Sequence, residues 1–240
     1  MTYKQQMEKS IKGYMASVGF KYYAPRYIYI KWIDKDTVAT IGYATYNGGQ
    51  KEYYQLSIYV GLIYRTWNNL LYQLTEGFCD YDSYMNGPIF FPTRLNYNEN
   101  NVEFTGTRPM EENHEAFKTE LETRAFPMLE RYQDRNLLYQ DMLEHKNEYY
   151  YNLNFNKYMP IAHYVNGNNQ EALRVVEKVL KECEQNYKKD PDAPGYIKLL
   201  HDFRLYHKNL KRLIKGEGLP PRSTPSVITQ MLEKLYKTQK

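Results

Sequence analysis

Between Phe20 and Tyr64, apolar and polar residues alternate almost one by one, and ten of the chain's 27 tyrosines fall there. A two-residue period is the repeat of a β-strand, whose side chains point to opposite faces in turn. Aromatic and β-branched side chains suit that pleated, half-buried surface. The segment therefore predicts antiparallel strands over residues 20–33 (bent at Pro25), 37–46 and 52–64. Asp34-Lys35-Asp36 supplies one tight polar turn, and Asn47-Gly48-Gly49 a hairpin loop of the primed kind. Tyr27, Tyr29, Tyr43, Tyr54 and Tyr59 should lie on paired neighbouring strands. They form a candidate binding surface, because tyrosine offers large contact area at low rotamer entropy.

The flanking segments change period. Met7, Ile11, Tyr14, Met15 and Val18 recur at spacings of three and four, which predicts an amphipathic helix over residues 2–17 closed by Gly19. Thr66 is placed to cap a short helix running through Thr75 and ended by Gly77. Residues 79–106 read as loops with short strands at Ile89-Phe90-Phe91 and Val102-Glu103-Phe104. From Pro109 onward the pattern stays helical. One region spans 111–148 with an interruption near Pro127, and four more helices cover 155–166, 170–188, 194–215 and 225–238. The expected fold is α+β: an N-terminal helix packed on an antiparallel sheet, then a mostly helical C-terminal domain. The expected domains are residues 1–108 and 109–240.

At 240 residues the chain can build a core without disulfides. Its two cysteines, Cys79 and Cys183, are far apart and match no metal or redox motif. The N-terminus has no apolar signal-peptide core, and no apolar run reaches the roughly 18–20 residues that cross a bilayer. A cytoplasmic location without a membrane partner is the expectation. The five histidines stand at spacings that place no ligand set on one helix face, so no metal is expected. No glycine loop opens a helix as phosphate binding requires, and G-x-S-x-G is absent. These patterns assign no catalytic residue and no cofactor.

Charge is uneven: residues 111–195 carry a net −5 and residues 196–240 a net +7. Lys208, Lys211 and Arg212 on the basic helix are candidate contacts for an anionic partner. Tyr206 is the one ring on that helix expected beside the charges, fewer than a stacking platform for single strands uses. The bland alternative is a solvated face that complements the acidic middle of the same chain.

Two stretches bear a family resemblance. The helix, Gly19-Phe20-Lys21, the aromatic hairpin and Val60-Gly61-Leu62 within residues 7–64 resemble bacterial α+β domains of the domain-of-unknown-function 4304 type, some of which sit beside polymorphic-toxin immunity genes. Ala162, Tyr164, Gly167, Ala172 and Val176 within residues 158–180 resemble one tetratricopeptide-like helical hairpin, which implies two closely packed helices. The expected role is a bacterial cytosolic binding protein without catalysis, an immunity-like or accessory factor acting by protein–protein interaction. Its partner would meet the exposed sheet face or the groove between sheet and helices. The alternative is an enzyme or a nucleic-acid-binding protein using the loops of residues 79–108 or the basic helix of residues 194–215.

Overall fold

A computed structural model describes residues 1–24, 28–75, 102–144 and 153–219, together with Gln230 and Lys234. Its first helix, α1 (Tyr3–Ser17), begins where Thr2 and Gln5 satisfy each other's backbone. The Gln5 N–H donates to Thr2 Oγ1 at 3.3 Å and the Thr2 N–H to Gln5 Oε1 at 2.8 Å. Two donors that a helix start leaves orphaned thereby find partners. At the other end Gly19 adopts φ 86°; its N–H reaches the Ala16 carbonyl and that of Phe20 the Met15 carbonyl. The double closure needs a left-handed residue, which glycine supplies without a Cβ penalty. Met7, Ile11, Tyr14 and Met15 are buried, as their spacing predicts.

Five antiparallel strands follow in the order β1 (Lys21–Tyr23), β2 (Ile28–Trp32), β3 (Thr37–Tyr46), β4 (Tyr53–Tyr64) and β5 (Val102–Thr105). The single bent strand expected over residues 20–33 is instead two strands paired antiparallel, with Lys21 opposite Ile30 and Tyr23 opposite Ile28. The expected bend at Pro25 lies outside the described residues. Both later turns form as read. Asp34 Oδ1 accepts from the N–H groups of Asp36 and Thr37 at 2.6 and 2.7 Å, and Gln50 N–H closes on the Asn47 carbonyl at 2.8 Å.

α2 (Arg65–Leu74) starts two residues earlier than expected: Tyr64 holds the N-cap position, and Thr66 sits inside the first turn. After β5 the chain forms α3 (Met110–Glu120), one π turn (Leu121–Ala125), α4 (Phe126–Arg131) and α5 (Arg135–Glu144). Pro127 does not break the path. The Phe126 N–H reaches back five residues to the Leu121 carbonyl, and Phe126 keeps helical dihedrals. Widening one turn accommodates a residue that cannot donate, and the actual break comes at residues 132–134. Asn113, fully buried, ties β5 to α3. Its Nδ2 lies within 3.0–3.3 Å of the carbonyls of Thr105, Arg108 and Pro109, and its Oδ1 accepts from the Thr105 N–H at 3.2 Å.

The last described helices are α6 (Leu153–Val165), α7 (Asn169–Lys189) and α8 (Pro194–Ile214). α6 closes at Gly167, φ 79°, with the same double closure as α1. On α7, Ala172, Val176, Val179 and Cys183 form one buried stripe. On α8 the buried face mixes Leu200, Phe203 and Leu210 with Asp202, Tyr206 and Asn209. The expected Ile89–Phe91 strand, the Gly77 stop and all but two residues of the expected 225–238 helix lie outside the described residues.

The architecture is α+β, with a leading helix against an antiparallel sheet and a mostly helical remainder. Two compact units divide the chain: residues 1–63 with 84–140, and residues 64–83 with 141–240. These bounds differ from a single cut after residue 108, because each unit gathers two separate segments of chain. Among the described residues, no helix is long and apolar enough to cross a membrane.

Candidate functional site

Strand register decides where the tyrosines go. Tyr22 pairs with Tyr29 across β1 and β2, Tyr29 pairs with Ile41 across β2 and β3, and Tyr43 lies two residues further on the same face. Their rings form a row, with centroids 5.1 Å apart for Tyr22–Tyr29 and 6.4 Å for Tyr29–Tyr43. Tyr29 is buried; burial pushes its phenol up to about 12, against a hydrogen bond with Tyr43 that lowers it. Burial raises the Tyr43 phenol as well, helped by the charge of Glu8 on α1. Tyr54, also buried, stacks on Tyr3 of α1 at 6.4 Å. Its strand partner Phe104 lies 6.4 Å from Phe117 of α3.

Tyr29 and Tyr54 thus belong to the core on the side of α1, and Tyr43 stands half-buried beside Tyr29. Tyr59, five residues after Tyr54, points to the opposite face and is half-buried. Tyr27 lies outside the described residues. Alternation correctly groups the residues of one face, but it carries no sign of which face a later helix will cover.

Part of the basic helix is paired with acids of its own unit. Glu177 of α7 receives His207 at 2.9 Å and Lys211 at 3.4 Å, Arg204 pairs with Glu184 at 3.3 Å, and Arg212 lies 3.7 Å from Glu217. The hydrogen bond from His207, and then that from Lys211, hold the Glu177 carboxyl below the ordinary carboxylate range despite some burial. Lys208 is exposed. Tyr206 is not beside the charges as expected: it is fully buried and donates to the Lys157 carbonyl at 2.8 Å. Asp202, Tyr206 and Asn209 stand four and three residues apart, so they fall on one helix face, and Asn209 Nδ2 donates to the Leu74 carbonyl at 3.1 Å. Buried Cys183 behaves as a small apolar group, its thiol pushed up to about 11 chiefly by burial.

One nucleophile-and-base pair escaped the sequence reading because its members are 104 residues apart. Ser10 Oγ on α1 lies 2.6 Å from His114 Nδ1 on α3, and Tyr14 meets the His114 ring edge-on at 5.6 Å. Acyl transfer at such a pair also needs donors aimed at the developing oxyanion. Ser10 sits mid-helix, where backbone N–H groups are committed to carbonyls four residues back, so α1 supplies none.

A concavity of the sheet unit lies between β2, β3 and α4, with a volume of about 590 Å³. Phe20 and Phe126 stack along it at 6.1 Å and 15°. Buried Leu129, with Ile33 and Ala39, completes an apolar lining, and Trp32 contributes to the wall. Lys31 is held there by its Nζ donating to the Val18 carbonyl at 3.1 Å and lying 5.8 Å over the Phe20 ring. Exposed Glu122 and Glu130 stand on the helical side, and the Tyr14 hydroxyl donates to Glu122 at 3.0 Å. A mostly apolar cleft of this volume with a few convergent polar groups is the usual form of a binding site. Among the described residues, no group of three or more His, Cys, Asp or Glu is placed to hold a metal ion.

No protein-family model, curated protein or solved structure matches the chain.

Proposed function

We propose that this chain is a binding protein that engages a protein partner through the groove between β2, β3 and α4. The observation carrying this reading is the groove itself: a half-buried Phe126 stacked on buried Phe20, with buried Leu129 behind it, beside two exposed carboxylates. Buried aromatic anchors in pockets dominate protein interfaces, and a half-buried Phe126 is suited to receive one. The resemblance of residues 7–64 to bacterial domains found beside immunity genes supports an immunity-like or accessory role in the bacterial cytoplasm. The test is a displayed-peptide selection on the full-length protein. Enriched sequences should bind the wild type and lose binding to Phe126→Asp, while Lys208→Glu leaves binding intact. Enrichment indifferent to Phe126→Asp, or no enrichment, would move the site elsewhere.

The Ser10–His114 contact favours a second, hydrolytic reading. Labelling of Ser10 by a fluorophosphonate probe, lost in Ser10→Ala, would raise it above the first. Because the α1 backbone supplies no oxyanion donor beside Ser10, no labelling is the expected outcome.

A further inference from the structure

We infer that the groove takes an arginine side chain from an extended segment of the partner; the inference rests on the groove being the binding site. Three features converge on that chemistry. The lining contains one cation, Lys31, and it is already engaged by the Val18 carbonyl and the Phe20 ring. Glu122 and Glu130 are exposed and, among the described residues, neither forms an ion pair; Glu122 accepts only the Tyr14 hydroxyl there, which leaves lone pairs on both carboxylates. The half-buried Phe126 ring and buried Leu129 line the groove together with these acids.

An anionic segment would meet two like charges, and a wholly apolar one would strand them without a partner on binding. A cation on an apolar stem satisfies both halves of the lining. Arginine meets that requirement better than lysine: its planar guanidinium is weakly hydrated, stacks on an aromatic face and forks onto a carboxylate through two parallel bonds. Its methylene stem covers Phe126 and Leu129 as the charge reaches the lip. The groove's volume of about 590 Å³ also has room for an apolar neighbour of the arginine.

The test uses the full-length protein and a short peptide with arginine between two leucines, alongside analogues bearing lysine, citrulline or glutamate at the centre. The Trp32 indole NMR signal reports occupancy. The arginine peptide should shift it saturably, the lysine peptide should bind several-fold more weakly, and the citrulline and glutamate peptides should not bind. A double Glu122→Gln, Glu130→Gln variant should weaken the arginine peptide about tenfold or more and remove its advantage over citrulline. Equal binding of arginine and citrulline peptides, or displayed sequences lost in Phe126→Asp but lacking arginine, would overturn the inference and leave the groove as a binding site. If no peptide shifts Trp32 and selection yields nothing sensitive to Phe126→Asp, both fail.

Discussion

Single residues here fix connections that helices and strands could not make alone, and Asn113 is the clearest. Its amide satisfies the Thr105 N–H and lies against three carbonyls of the turn between β5 and α3, all from a fully buried position. Asn113→Leu keeps the volume but leaves those groups without their partner. It should cost about 3 kcal/mol, read as a lower urea midpoint with an unchanged slope. Asp34 does similar work in an exposed turn. Partial burial alone would raise its carboxyl, but the N–H groups of Asp36 and Thr37, the Thr37 hydroxyl and the nearby Arg135 outweigh that and hold it below the ordinary range. A depressed carboxyl stabilises the fold fully above the ordinary carboxylate range and loses that contribution as pH falls through its folded value. Asp34→Ala should therefore cost about 1 kcal/mol at neutral pH, and the difference from wild type should shrink in acid below that range. Urea melts across the pH series measure it.

At the scale of elements, what local chemistry dictates was legible and what distant packing dictates was not. Gly19, Asn47-Gly48-Gly49 and Gly167 mark turns whose geometry is set within a few residues, and each lies where the sequence puts it. The π turn before Pro127 was not readable, because whether a proline breaks, kinks or widens a helix depends on what the next turn packs against. The groove and the Ser10–His114 contact were equally invisible as assignments, since their residues come from segments about a hundred positions apart. The hairpin of α6 and α7 permits a sharper check. Ala172 is fully buried on α7, so Ala172→Leu should overpack it at a cost of about 1–3 kcal/mol. A Cβ at Gly167 would meet nothing within 4 Å, so Gly167→Val should destabilise through its φ of 79° alone, by about 1–2 kcal/mol. A denaturant midpoint equal to wild type for Ala172→Leu would remove the close packing assigned to this hairpin.

For the whole molecule, charge and chain order matter most. The net +7 of residues 196–240 suggests an anion-binding face, but Glu177, Glu184 and Glu217 already occupy His207, Lys211, Arg204 and Arg212. Fluorescence anisotropy with single-stranded and duplex oligonucleotides should find no sub-micromolar binding at physiological salt. Tight binding with a steep salt slope, lost on changing Lys208, Lys211 and Arg212 to glutamate, would show a phosphate footprint. The interleaved units bear on truncation as well: a fragment of residues 1–108 lacks Asn113, Phe117, Leu121 and Leu129, which a 1–140 fragment keeps. Only the longer fragment should melt cooperatively by circular dichroism. The same interleaving shapes vectorial synthesis. β4 leaves the ribosome complete at Tyr64, yet its β5 neighbour arrives only with residues 102–105. At about 5–20 residues per second that edge waits roughly 2–8 seconds, long enough for a nascent strand to need shelter from its neighbours on a polysome.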